Sequence, residues 1–153
     1  MYDPSIPGIG WRMHYDRLER VYTRLQAGTQ SSVEYVDDLH HFFQDCLHLS
    51  DWIGNDRASC WLLADVRAAM LSNAALQDAA DLGNASKHMI RDQPARRTHI
   101  TRGDVTVFVG QNKPAEFSHI ITRADGTTLN AKDLVRNAFA AWRSLLQSRG
   151  LLT

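Results

Sequence analysis

Glu34, Asp38, His41, Asp45, His48 and Trp52 recur at intervals of three and four residues. On an α-helix this spacing gathers them into a sector of about 80°. His41 and Asp45 then stand one turn apart, as do Asp45 and His48. A carboxylate beside an imidazole fixes its tautomer and raises its basicity, which suits general acid–base work or metal ligation. A second run, Gln77, Asp81, Asn84 and His88, follows four-three-four spacing and forms another stripe. Lys87 sits roughly a right angle from that stripe, and Asp51 flanks the first one at about 100°. The competing reading of each stripe is a solvated helix face laced with one-turn charge pairs. Histidines in register with carboxylates, and Trp52 at the end of the first stripe, favour partial burial and a shared site.

The elements that must carry these residues are mainly helical. Pro4, Pro7, Gly8 and Gly10 make residues 1–11 an extended arm, packing through Ile6, Ile9 and Trp11. Leu18, Val21, Tyr22 and Leu25 give a helix from Arg12 to Ala27, stopped by Gly28. Ser31 or Ser32 caps a second helix reaching about Ile53, with Glu34 in its first turn. Its apolar stripe is Tyr35, Leu39, Phe42, Cys46, Leu49 and Ile53. Asp56 can cap a third helix over residues 57–71. Ser72 or Asn73 kinks or re-caps the chain before a fourth helical stretch from Ala74 to about Ile90. Whether residues 57–90 form one bent helix or two is left open. Gly83 inside that stretch costs about 1 kcal/mol against alanine and permits close approach of another helix.

Beyond Pro94 the period changes. Val105, Val107 and Val109 alternate as in a strand, Asn112-Lys113-Pro114 reads as a turn, and residues 117–123 as the returning strand. Asp125-Gly126 is a further turn signal. Asn130 caps a last helix, 130–149, whose main apolar residues are Leu134, Phe139, Trp142, Leu145 and Leu146. The expected architecture is one domain over 1–153. Helices at 12–91 form an antiparallel bundle of four to five helices with the last one, and a β-hairpin at 98–124 is inserted before it.

The 153 residues, 44% of them apolar, suit a single folded core. Seventeen basic residues balance seventeen acidic ones, so no overall charge draws the chain to nucleic acid or an anionic membrane. The N-terminus lacks the pattern of a signal peptide, and no apolar run suits a membrane span, so the expected setting is cytoplasmic. Cys46 and Cys60 read as free thiols, and Cys60 as a core residue rather than a nucleophile. No Gly-rich phosphate loop, GxSxG or HExxH is present.

Phe43, Cys46, His48, Leu49, Asp51 and Trp52 match a Phe-x-x-Cys-x-His-Leu-x-Asp-Trp pattern. Asp81, Asn84, Lys87 and His88 match Asp-x-x-Asn-x-x-Lys-His. Together they resemble a group of small bacterial and phage proteins with no established activity, and what the resemblance implies as the candidate site is His48, Asp51, Asp81, Asn84, Lys87 and His88. The resemblance covers roughly residues 35–90. More distantly, Asn84-x-x-x-His88 resembles the core of the HEPN superfamily motif. That superfamily consists of helical bundles, many of them metal-independent ribonucleases of toxin–antitoxin and phage-defence systems. Its active motif is an arginine, then four to six intervening residues, then a histidine. With His88 as that histidine the arginine belongs at 81–83, where this chain has Asp81, Leu82 and Gly83.

Three functions follow as expectations. The first is a HEPN-like protein of defence or stress type, either nuclease-like or a non-catalytic binder of RNA or a partner protein. In the nuclease version His88 would be the acid–base, Asn84 would orient phosphate and Lys87 would supply charge. The second is a metal-binding bundle using His41, Asp45, His48, Asp81 and His88, with the metal unspecified. The third is a homodimeric interaction module without chemistry, its polar stripes forming a buried network or a dimer seam.

Overall fold

The computed structural model describes residues 10–28, 31–87, 98–106, 116–123 and 125–153, with backbone only at 86–87, 98–106 and 116–118. The described chain is a five-helix assembly with a small sheet before the final helix. Helix α1 spans Trp11–Ala27 and stops at Gly28, whose left-handed φ of 65° suits a residue without Cβ. Helix α2 spans Ser32–Asn55. Ser31 caps it through a reciprocal pair: Ser31 Oγ accepts from the Glu34 amide at 3.3 Å, and the Glu34 carboxylate accepts from the Ser31 amide at 2.8 Å. These bonds hold the Glu34 carboxyl below its usual range.

The third segment departs from expectation. Residues 57–59 make only a 3-10 turn, and α3 spans Leu63–Ser72. Asp56 Oδ1 caps the turn by accepting from the Ala58 amide at 2.9 Å. Ser59 then ties the chain down, donating to the Ile53 carbonyl at 2.7 Å and accepting from the Trp61 amide at 3.1 Å. Cys60 adopts φ 51° and is exposed, so the expectation of a core cysteine is corrected. The turn swings the chain outward there and gives the buried place to Trp61.

The question of one helix or two is settled at Asn73. Its extended backbone interrupts the path, and its Oδ1 accepts from the Leu76 amide at 3.1 Å. Helix α4, Ala74–Lys87, is thereby a separate element.

Strands β1 (Thr98–Thr106) and β2 (Glu116–Arg123) pair antiparallel, with an irregularity between Ile100 and Arg102. Sequence reasoning missed β3, Thr128–Asn130, which pairs antiparallel with β2 and makes the order β1-β2-β3. The turn between them uses Gly126 at φ 84°, and the Asp125 carboxylate accepts from the Thr127 amide at 2.9 Å. Helix α5, Ala131–Ser148, is capped by Asn130 as expected, through a 2.8 Å bond from the Lys132 amide. The arm at 1–9, the turn at 112–114 and residues 88–97 lie outside the described residues. Trp11, expected in the arm, begins α1.

The core joins all five helices and Ile121 of β2. Helices α2 and α5 pack against each other at its centre; Trp142 is fully buried and donates from Nε1 to the Cys46 carbonyl at 3.2 Å. Helix α1 packs on α2 and α5, and α4 on α2, α3 and α5, so α1 and α4 flank the central pair from different sides. Gly83 explains how close α4 comes. A Cβ built there would sit 2.3 Å from the Phe43 carbonyl oxygen, so the two backbones nearly touch. No helix among the described residues is long and apolar enough to cross a membrane.

Candidate functional site

The stripe on α2 is built against α1. Asp45 is 6% exposed and receives Nε and Nη2 of Arg17, the Nε bond being 3.0 Å. One heptad away, Asp38 receives Nε and Nη2 of Arg24 at 3.1 and 2.6 Å. Arg17 and Arg24 are seven residues apart, as are Asp38 and Asp45, so two antiparallel helices meet in two matching fork-to-carboxylate rungs. Each guanidinium stays about half exposed while its carboxylate is buried. Each carboxylate is hydrogen-bonded at the point where water is excluded, which offsets the cost of burying it. Asp38 in turn holds the Arg24 guanidinium above its ordinary range.

Beyond the Arg17 rung the seam turns aromatic. His14 of α1 lies on Trp52, with ring centroids 3.8 Å apart and planes inclined by 23°. His48 is half-buried and close enough for its charge to act on His14. His41 and Glu34 are exposed. Asp51 leaves the stripe: its Oδ1 accepts from Nε and Nη2 of Arg67 on α3 at 3.2 and 2.6 Å. Cys46, behind the stripe, is fully buried, and burial followed by the Asp45 charge pushes its thiol well above the ordinary value. It is no nucleophile.

The stripe on α4 has different surroundings. Counting from Gly83, which touches α2, Gln77, Asp81 and Asn84 lie about 100–160° round the helix. On α2, His48 lies roughly 140° from Phe43, the residue that Gly83 touches. The two stripes thus occupy faces turned from their shared contact, one toward α1 and the other away from α2. Asp81 is 5% exposed and Asn84 half-buried. Asp78 stands about 60° from Asp81 on the same side and is fully buried. Its Oδ2 accepts from Arg123 Nε at 3.0 Å, with Nη2 also 3.0 Å away, and Arg123 Nη1 reaches Thr127 Oγ1 at 3.3 Å. This pair fastens α4 to β2. His88 and the Lys87 side chain lie outside the described residues.

No family model matches the chain, and neither a curated protein nor a solved structure matches it.

Sequence reasoning therefore found Asp38, Asp45 and Asp51 but not the cations that meet them, Arg24, Arg17 and Arg67. The signal for two of them was present as the equal seven-residue spacing on α1 and α2. His14 and the Asp78–Arg123 pair were also missed, since none of the three falls in a stripe. Among the described residues no group of three or more His, Cys, Asp or Glu side chains is arranged to hold a metal ion. Asp45, one of the expected ligands, already has a guanidinium across both oxygens. What this arrangement does chemically is lock helices together with charged hydrogen bonds.

Proposed function

We propose that this chain is a HEPN-like helical-bundle protein of the defence or stress type that acts without catalysis, by binding a partner protein. One observation carries the non-catalytic part. The three positions where the superfamily arginine belongs relative to His88 are closed: Asp81 and Leu82 are 5% and 3% exposed, and Gly83 is pressed on the Phe43 carbonyl. A guanidinium serving phosphoryl transfer has no place at any of them. The resemblance of Asn84-x-x-x-His88 to the core of the HEPN motif supports the biological setting. The even balance of seventeen basic and seventeen acidic residues favours a protein over nucleic acid as the partner.

The test is an RNA cleavage and gel-shift series with the purified chain and its His88→Ala variant. Neither protein is expected to cut, and neither should retain RNA at physiological salt. Cleavage by the wild type that disappears in His88→Ala would restore the nuclease reading. Salt-sensitive retention of RNA without cleavage would replace the protein partner by nucleic acid.

A further inference from the structure

His14 is 9% exposed, and neither Nδ1 nor Nε2 has a hydrogen-bond partner among the described residues. The imidazole lies flat on Trp52 at 3.8 Å, so its contacts are through the ring face. The charged and titratable groups that act on it are Arg17 on its own helix and Asp45 and His48 on α2. Asp45 would welcome a proton on His14, but both of its oxygens are already taken by Arg17. The indole face would also attract a cation. Burial acts the other way, and so do Arg17 and His48; the net effect holds His14 below the ordinary histidine value of 6.5.

The start of α1 has few other polar ties. Gly10 offers no side-chain cap, and the Trp11 amide is held from across the fold, by Asp56 Oδ2 at 3.1 Å. Asp56 also caps the following 3-10 turn, so one carboxylate serves both helix starts. The first turns of α1 are thus seated by Trp11, Tyr15 and the His14–Trp52 stack.

We propose that the His14–Trp52 stack is an acid-released latch on the first turns of α1: closed while the imidazole is neutral, open once it carries a proton. The sign follows from linkage. The open form binds protons with the ordinary histidine affinity and the closed form more weakly. The latch's contribution is complete above pH 6.5, declines as pH falls below it, and is gone once pH passes the lower value of the closed form. Within that window the closed-to-open ratio falls by about tenfold per pH unit.

Hydrogen exchange followed by NMR between pH 7.5 and 5, corrected for intrinsic exchange, tests this on the full chain together with the titration of the His14 ring. The expected result is that His14 titrates below the ordinary value. Amides of Tyr15 and Leu18 should lose protection by up to about tenfold per pH unit while those of α5 keep theirs. His14→Phe retains a flat ring on Trp52 and cannot take a proton, so its α1 protection should stay level across the range. Titration of His14 at or above 6.5 in the wild type overturns the proposal, and that measurement needs no variant. Simultaneous loss of protection in α1 and α5, or an unchanged acid response in folded His14→Phe, overturns it equally.

Discussion

Asp45 and Asp78 show what a buried carboxylate asks of its neighbours. Each is almost dry and each meets an arginine. Removing the cation leaves a buried charge that has lost its guanidinium, which is a larger loss than the pair's own net contribution. Arg123→Met is therefore expected to lower unfolding free energy by about 3–5 kcal/mol, read from chemical denaturation. Arg17 is half exposed and solvent screens it, so Arg17→Met should cost less, about 1–3 kcal/mol. In the double variant Arg17→Met/Asp45→Leu most of that loss should return, since no stranded charge remains. Equal losses in the single and double variants would mean the rung does not act as a pair. The same residues show where reading the sequence succeeded and stopped. Spacing on α2 alone placed Asp38, Asp45 and His48 on one face, and that face is real. Helical periodicity says which residues share a side and nothing about which helix covers it. The carboxylates were legible; their use as ties to α1, rather than as a centre shared with α4, depended on packing.

At the scale of elements, Gly83 and the caps decide how helices begin and meet. At an exposed helical position Gly→Ala would stabilise by about 1 kcal/mol. At Gly83 the added methyl meets a carbonyl oxygen, a backbone atom that yields only if α4 moves. Gly83→Ala should thus destabilise by about 1–3 kcal/mol, the opposite sign, checked by thermal or chemical unfolding. Asn73→Ala removes the bond to the Leu76 amide and should cost about 1 kcal/mol. The caps at Ser31, Asp56 and Asn130 were legible because capping is local, requiring only a short polar side chain before a helical run. The break at Cys60–Leu62 was not, because Ser59 makes it through the Ile53 carbonyl six residues earlier. Strand β3 was hidden by its length: three residues offer no period to read.

For the whole molecule, the bundle with strands before its last helix was readable from apolar spacing and from the change of period after Pro94. The arrangement of α1 and α4 on different flanks of α2 and α5 was not, and it governs which polar residues meet. With a guanidinium on Asp45, the chain is expected to fold without metal. Thermal unfolding with and without a strong chelator should give one Tm, and elemental analysis of protein purified without chelators should find no stoichiometric ion. A chelator-dependent fall in Tm would bring back the metal-binding expectation, with His88 and its undescribed neighbours as the place to look.

The two arginine rungs also carry information about alignment. Sliding α1 along α2 by one turn, about 5.4 Å, sets Arg17 beside His48 and Leu49 and Arg24 beside His41 and Phe42. Neither guanidinium then faces a carboxylate, and Asp38 and Asp45 lose their forks. An oily seam by itself would tolerate such a slip, because one leucine greets another much as well as the next. Charges spaced a heptad apart act as pegs in a pegboard, so that the bundle has one seating of its first helix rather than several of similar energy.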